Sequence, residues 1–127
     1  DAVGAGGVLL LDSTLDPYQP AVVRASMGTL FWYPPVPASF AEFSAWSSRH
    51  GYHVYATSAH AAQDYRTVER YETPRILLLG SEREGLSAEQ SAAAEINLRL
   101  PMRGRATSLN LAVAAGVVLY QMLARSA

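Results

Sequence analysis

Three polar residues near the C-terminus stand where apolar stretches end or begin. Glu82 follows a run of leucines and a glycine, and Ser108 and Asn110 stand at the start of the apolar stretch 109–124. Carboxylate, hydroxyl and amide groups can orient a substrate or another reacting group through hydrogen bonds. We therefore take Glu82, Ser108 and Asn110 as candidate catalytic residues.

Each of these residues also has a simpler interpretation. Glu82 could be a solvated turn residue, like Glu84 beside it. Ser108, or Thr107 before it, could cap the helix that follows. Asparagine is a poor residue inside a helix, so Asn110 either bonds to nearby backbone or reaches into a binding crevice. On the residues alone, both interpretations stay open.

Two arginines, Arg103 and Arg105, lie on a short glycine-containing loop just ahead of these residues. Arginine suits bidentate contact with phosphate, and all ten basic residues of the chain are arginine. Solvated loop charges and the codon bias of a GC-rich genome explain the same observations. The net charge of −1 predicts no general attraction to nucleic acid, so any RNA contact requires a local patch.

The composition limits the kind of protein. A chain of 127 residues fits one domain with its own core, and the absence of cysteine excludes disulfides and cysteine nucleophiles. The three histidines have no ligand-like partners, so we expect no metal site. The N-terminus lacks signal-peptide features, and the most apolar window is too short to span a membrane. We expect a soluble, cytoplasmic protein.

Uniformly apolar runs alternate with helical patterns along the chain. Capping boxes begin at Ser39 and Ser87, Pro20 suits the first turn of a short helix that Gly28 ends, and a long helix opens near Thr107. Residues 59–73 are predicted to be loop with at most a helical turn. The pattern predicts an α/β fold, a mainly parallel sheet flanked by helices, with strands at residues 7–12, 29–33, 52–57, 75–80 and 96–100.

Ligands of parallel α/β sheets bind beyond the carboxyl ends of the strands. This rule selects three stretches of the chain, residues 56–58, 80–82 and 100–102. Gly80 would let a ligand approach the backbone closely. The chain has no GxGxxG or Walker A motif, which argues against a standard dinucleotide or nucleoside triphosphate site.

The stretches 79-LGSEREGLS-87 and 100-LPMRGRATSLNLAVAAGVVLYQ-121 closely resemble motifs 2 and 3 of the SpoU-type (TrmH-like) methyltransferases of the SPOUT superfamily. Residues 16–35 are also similar to a segment of these enzymes, so the resemblance extends over nearly all of the single domain 1–127. It implies S-adenosylmethionine-dependent methylation of a ribose 2′-hydroxyl in rRNA or tRNA. It also implies an α/β fold with a deep C-terminal trefoil knot.

The resemblance assigns roles residue by residue. Glu82, Ser108 and Asn110 match polar motif residues that shape the active site, and Arg103 and Arg105 would contact RNA. Leu100 replaces the more usual isoleucine. The partners implied are substrate RNA and a second copy of the chain packed through the last helix, without metal or membrane. The cofactor-binding positions are Thr57, Leu79, Gly80, Leu100, Met102 and Leu109.

Motif 1 of the family contains an asparagine and an arginine thought to activate the ribose hydroxyl. We expect this motif to lie before residue 1, because residues 1–12 resemble the tail of its helix and the strand after it; Arg24 belongs to a later segment. The chain is therefore expected to be truncated at its N-terminus and to lack a complete catalytic set. The alternative is a non-catalytic module that binds cofactor or RNA.

Overall fold

The chain divides into two compact units, residues 1–46 and the part from Ser47 onward. The structure is a computed structural model that describes residues 1–126. Each unit contains its own parallel sheet. The mainly parallel α/β architecture predicted from the sequence is confirmed, while the trefoil knot implied by the resemblance stays a prediction.

The first unit contains a parallel pair of strands, β1 (Leu9–Leu11) and β2 (Val36–Ala38), with Leu9 opposite Val36. Helix α1 (Pro20–Ala25) lies between them in the chain, with proline at its first turn as expected. Strand β2, which follows the Pro34-Pro35 pair, was not predicted.

The prediction of an extended segment at residues 29–33 is wrong, because Thr29–Trp32 forms a short helix, α2. Gly28 adopts a left-handed backbone with φ of 86° and lets the chain leave α1 and start this new turn. The amide of Tyr33 then donates to the carbonyl of Thr29 over 3.0 Å. Aromatic residues favour strands in general, but here a local turn between glycine and proline decides the structure.

Helix α3 (Phe40–Arg49) begins with the capping box predicted at Ser39. The Ser39 hydroxyl accepts from the Glu42 amide over 3.0 Å, and the Ser39 amide donates to the Glu42 carboxylate over 2.9 Å. This bond from the Ser39 backbone holds the pKa of Glu42 below its ordinary value. Gly51, with φ of 69°, follows the end of the helix as predicted.

The second unit is built on a four-stranded sheet in which every pairing is parallel, in the order β4-β6-β3-β5. Three strands match predicted apolar runs, namely β3 (His53–Thr57), β5 (Arg75–Leu78) and β6 (Ile96–Arg99). Strand β4 (Gln63–Asp64) and a 3₁₀ turn at Tyr65–Thr67 fall in the segment predicted to be loop with at most a helical turn. A two-residue strand is too short to show an alternating pattern in sequence.

The core of the second unit lies between its sheet and its last helix. The rings of Tyr55 and Tyr71 meet edge to face at 4.9 Å, and the Tyr71 hydroxyl donates to the carbonyl of Tyr65 over 2.6 Å. Burial raises the pKa of Tyr71 to about 12, because it disfavours the charged phenolate. The buried cluster consists of Tyr55, Val68, Tyr71, Leu98, Val118 and Met122.

Two helices complete the second unit. The capping box predicted at Ser87 begins α4 (Ala88–Ala92), which ends three residues before the predicted Glu95. The chain turns there because the Glu95 amide already donates to the carbonyl of Val54 in the sheet. Helix α5 (Leu111–Ala124) is the long C-terminal helix. Within residues 1–126, no helix is both long and apolar enough to cross a membrane.

Candidate functional site

A cleft of about 770 Å³ lies at the carboxyl ends of β3, β5 and β6, where the rule for parallel sheets places a ligand site. Four stretches of the chain line it, and all of them belong to the second unit. They are the loop after β3, the turn after β5, the end of β6 with the loop behind it, and the start of α5. We call this space the cleft.

The cleft brings together most of the residues selected from the sequence. All three candidate catalytic residues, Glu82, Ser108 and Asn110, line it. Five of the six candidate cofactor-binding residues also line it, namely Thr57, Gly80, Leu100, Met102 and Leu109. These residues are separated by up to 53 positions in the chain, and the parallel order of the strands brings them to one edge of the sheet.

Three predicted site residues do not line the cleft, namely Leu79, Arg103 and Arg105. Leu79 directly follows β5 and stays partly buried, and the two arginines are exposed. The positions of the arginines match a role at the surface beside the cleft. A sequence motif identifies a segment of the chain, whereas the direction of each side chain depends on the folded structure.

Gly80 lines the cleft and also lies against the protein's own backbone. A Cβ atom at this position would lie 2.3 Å from the carbonyl carbon of Gly85 and 2.5 Å from the amide nitrogen of Leu86. The space that a side chain at residue 80 would enter is therefore taken by backbone. The glycine is required because the turn that follows β5 folds back onto it.

Asn110 caps the final helix, and the prediction that Thr107 or Ser108 begins it is wrong. The side-chain oxygen of Asn110 accepts from the amides of Ala112 over 2.9 Å and Val113 over 3.3 Å. These two amides are consequently not available to bind an anion. The side-chain oxygen is engaged, so the amide nitrogen of Asn110 is the group that can donate to a ligand.

The two interpretations of Asn110 that the sequence left open are compatible. The residue bonds to local backbone, and it also lines the cleft. Ser108 lies in the irregular segment before α5, where its hydroxyl makes no helix cap. The loop of residues 101–110 therefore presents both residues to the cleft, and it ends at the Asn110 cap.

Sequence reasoning missed several residues that line the cleft. His60 comes from the loop after β3, and Arg83 comes from the turn after β5. Arg99, the last residue of β6, donates from Nη1 to the carbonyl of Ala61 over 3.0 Å and so ties this strand to the loop after β3. Their positions directly after or at strand ends were the available signal, but neither type nor spacing distinguished them from solvated residues.

The charged residues of the cleft include both signs. Glu82 and Glu84 supply carboxylates, and Arg83 and Arg99 supply guanidinium groups. Across residues 1–126, no three histidine, aspartate or glutamate side chains are grouped so that they could hold a metal ion. The chemistry available in the cleft is thus hydrogen bonding and charge pairing with a polar ligand of mixed charge.

The chain is similar to known RNA methyltransferases. The model of the SpoU rRNA Methylase family matches residues 1–120. The 23S rRNA (guanosine(2553)-2′-O)-methyltransferase RlmP of Bacillus subtilis is 30% identical over 122 residues, which cover 96% of this chain and 49% of that protein. The tRNA (guanosine(18)-2′-O)-methyltransferase of Thermus thermophilus is 42% identical over 72 residues, covering 56% of this chain and 37% of that protein.

A solved structure shares both the fold and much of the sequence. The crystal structure of an AdoMet-bound rRNA methyltransferase from Sinorhizobium meliloti matches with a TM-score of 0.89 and 40% identity. The match covers 95% of this chain and 46% of that one. The chain spans about half the length of the full-length relatives that it matches over most of its residues.

Proposed function

The chain belongs to the SpoU rRNA methylase family, and we propose that it transfers the methyl group of S-adenosylmethionine to a ribose 2′-hydroxyl of rRNA or tRNA. The observation that carries this proposal is the cleft, in which residues of both motifs meet at the carboxyl ends of parallel strands. The named relatives methylate 2′-hydroxyls of 23S rRNA or tRNA, and the structural neighbour holds AdoMet.

The cleft fits the cofactor in size and in chemistry. Small-molecule sites typically enclose about 300–1,000 Å³, and the cleft measures about 770 Å³. S-adenosylmethionine carries a sulfonium, an ammonium and a carboxylate, which suits a cleft with charges of both signs. Apolar contact would come from Leu100, Met102 and Leu109, and Thr57 and Gly80 would contribute at the strand ends.

The reaction requires alignment more than strong activation. The bound cofactor supplies a methyl group already activated by its sulfonium. In the transfer, the ribose oxygen would bond to the methyl carbon as the carbon–sulfur bond breaks and the neutral thioether leaves, and the hydroxyl proton would pass to a base or to water. The protein must therefore hold the hydroxyl in line. We assign this positioning to the Glu82 carboxylate and the Ser108 hydroxyl as hydrogen-bonding groups, and to the Asn110 amide nitrogen as a donor.

RNA contact is assigned to the loop beside the cleft. Arg103 and Arg105 are exposed there, and within residues 1–126 neither side chain forms an ion pair. By contrast, Arg66 is engaged by Asp64 and Arg70 by Glu72. Two free guanidinium groups on one short loop can each contact a phosphate, which would hold RNA without reading its sequence.

A second copy of the chain is the partner proposed for α5. Val113, Tyr120 and Leu123 recur at helical spacing and are 52%, 57% and 48% exposed. A stripe of large apolar side chains on one helix face favours contact with another protein surface. Tyr120→Asp should shift the chain from dimer to monomer in sedimentation velocity, and a wild-type chain that sediments as a monomer at all concentrations would refute this assignment.

Titration with S-adenosylmethionine by calorimetry tests the proposed function. We expect saturable one-site binding by the wild-type chain and its loss in Gly80→Trp, because the indole would displace the turn that walls the cleft. Gly116→Ala, on α5 with open space around the site of substitution, is the matched control and should bind normally. Retained affinity in Gly80→Trp would show that the cofactor lies elsewhere.

Methyl transfer from labelled S-adenosylmethionine to total rRNA and tRNA tests the reaction itself. Alkaline hydrolysis of the product should leave the labelled dinucleotide intact, because a 2′-O-methyl group blocks cleavage at that position. Label released as mononucleotide would place the methyl on a base and refute the ribose assignment. Cofactor binding with no transfer to either RNA would favour the non-catalytic module.

A further inference from the structure

The turn between β5 and α4 is closed by its own hydrogen bonds. Ser81 and Gly85 form an antiparallel bridge, with the Gly85 amide donating to the Ser81 carbonyl over 2.9 Å. The amide of Glu84 donates to the Ser81 hydroxyl over 3.1 Å. Gly85 has φ of 66°, a left-handed conformation that glycine adopts without strain. We call residues 81–85 the closed turn.

The closed turn is anchored at both ends. On one side it packs on Gly80, where a Cβ atom would lie within 2.3–2.7 Å of the Gly85 and Leu86 backbone. On the other side Ser87 begins α4 with a reciprocal capping box to Gln90, at 2.9 and 3.1 Å. The ends are fixed by backbone packing, so the remaining freedom lies in the peptide units between Ser81 and Gly85.

Ser81 controls that remaining freedom. Its carbonyl and its hydroxyl accept the Gly85 and Glu84 amides, so one residue binds two of the amides that the turn presents. Without the hydroxyl, the Glu84 amide would lose its partner, and the peptide units on either side of it could rotate. Those peptide units belong to Glu82, Arg83 and Glu84, which all line the cleft.

We propose that Ser81 is a positioning residue, whose hydroxyl holds the closed turn so that the Glu82 carboxylate faces the cleft. The proposal rests on the proposed function for the meaning of the cleft. Ser81 acts through the turn, because its hydroxyl oxygen is already engaged by the Glu84 amide. The residue type matters because a short side-chain oxygen can accept from a backbone amide three residues on.

This role predicts an order among substitutions at residue 81. Asparagine also offers a short side-chain oxygen to a following amide, so Ser81→Asn should keep the turn closed. Ser81→Ala removes the acceptor and should open it. Ser91→Ala is the matched control, because it removes the same hydroxyl group from a serine on α4 that lies outside the cleft lining.

Steady-state methyl transfer by the intact enzyme that contains this chain is the first measurement. For Ser81→Ala we expect kcat to fall about tenfold, since misplacing a positioning group mainly affects alignment, while the Kd for S-adenosylmethionine changes less than about threefold. Ser81→Asn should recover kcat to within about threefold of wild type, and Ser91→Ala should match wild type. Unchanged kcat in Ser81→Ala, or no recovery in Ser81→Asn, would overturn the proposal.

Amide hydrogen exchange is the second measurement and does not depend on activity. The Glu84 and Gly85 amides should exchange faster in Ser81→Ala and return to the wild-type rate in Ser81→Asn. If the wild-type chain neither binds S-adenosylmethionine nor transfers methyl, the proposed function fails, and exchange still decides whether Ser81 closes the turn. Equal exchange in wild type and Ser81→Ala would overturn the inference whatever the activity.

Discussion

The two units differ in how much of their apolar surface they bury. In residues 1–46, Leu30 and Phe43 are the buried hydrophobic residues, whereas Met27 and Trp32 are 91% and 81% exposed. The second unit buries a contiguous cluster that includes two tyrosines, and its large exposed side chains are few. The unit that contains the cleft therefore has its own core, and the first unit presents apolar surface suited to contact with another surface.

This difference bears on the site. A cleft keeps its geometry when rigid elements hold its walls, and here four paired strands and a helix packed against the buried core do so. The first unit has two short strands and two short helices before α3, with little buried between them. We expect the second unit to dominate the free energy of unfolding, and the following substitutions test that expectation in order of effect.

The first test replaces a methionine by alanine in each unit, and the substitution in the second unit has the largest expected effect. Met122→Ala on α5 empties a site that is 2% exposed and should cost about 2–5 kcal/mol of unfolding free energy. Met27→Ala in the first unit removes a side chain that is 91% exposed and should change the free energy by less than about 0.5 kcal/mol. Urea denaturation followed by circular dichroism measures both free energies of unfolding. Equal losses in the two variants would contradict the difference between the units.

Two glycine substitutions test whether the closed turn packs on Gly80. Gly80→Ala puts a methyl group against backbone at 2.3–2.7 Å and should cost about 1–3 kcal/mol through overpacking. Gly116→Ala adds a methyl group with no atom within 4 Å and should stabilise the helix by about 0.5–1 kcal/mol. Thermal melts of the pair should move in opposite directions. A stabilising Gly80→Ala would mean that the closed turn does not pack on Gly80.

Asn110 tests whether capping and ligand binding can be separated. Asn110→Ala should cost about 1 kcal/mol, because two amides of α5 lose their acceptor. Asn110→Asp keeps an oxygen acceptor and should keep most of the stability, yet it loses the side-chain donor that faces the cleft. We expect both variants to lose methyl transfer, but only alanine to lower the melting temperature. Full activity in Asn110→Asp would show that methyl transfer does not need the side-chain donor of Asn110.

The smallest effect concerns pH. The side chain of Arg66 bonds to Asp64 over 2.6 and 3.0 Å and lowers the pKa of that carboxyl from 3.8 to about 2. Because the folded pKa is the lower one, ionised Asp64 stabilises the fold above about pH 4 and this contribution is lost as the pH falls toward 2. Between pH 4 and pH 2, the urea midpoint of Asp64→Asn should fall less steeply with pH than that of the wild type. An unchanged slope would contradict this account.

Much of the second unit was predictable from local patterns. The runs predicted as strands at 75–80 and 96–100 contain the parallel strands β5 and β6, and the capping box at Ser87 begins a helix, as the one at Ser39 does in the first unit. The motif residues Glu82, Ser108 and Asn110 were selected from type, position and resemblance, and all three line the cleft. Short elements were harder, since the helix at Thr29–Trp32 depends on one turn at Gly28.

By itself the sequence determined the α/β class, the family and the residues worth testing, because apolar periodicity, caps and motifs are local properties of the chain. Only the tertiary structure decided that Asn110 caps α5, that Gly80 makes room for the Gly85 backbone, and that Ser81 closes a turn. Each of these depends on the path of the backbone, which residue types alone do not determine. A sequence lists the donors, acceptors and missing Cβ atoms, and the fold decides which of them meet.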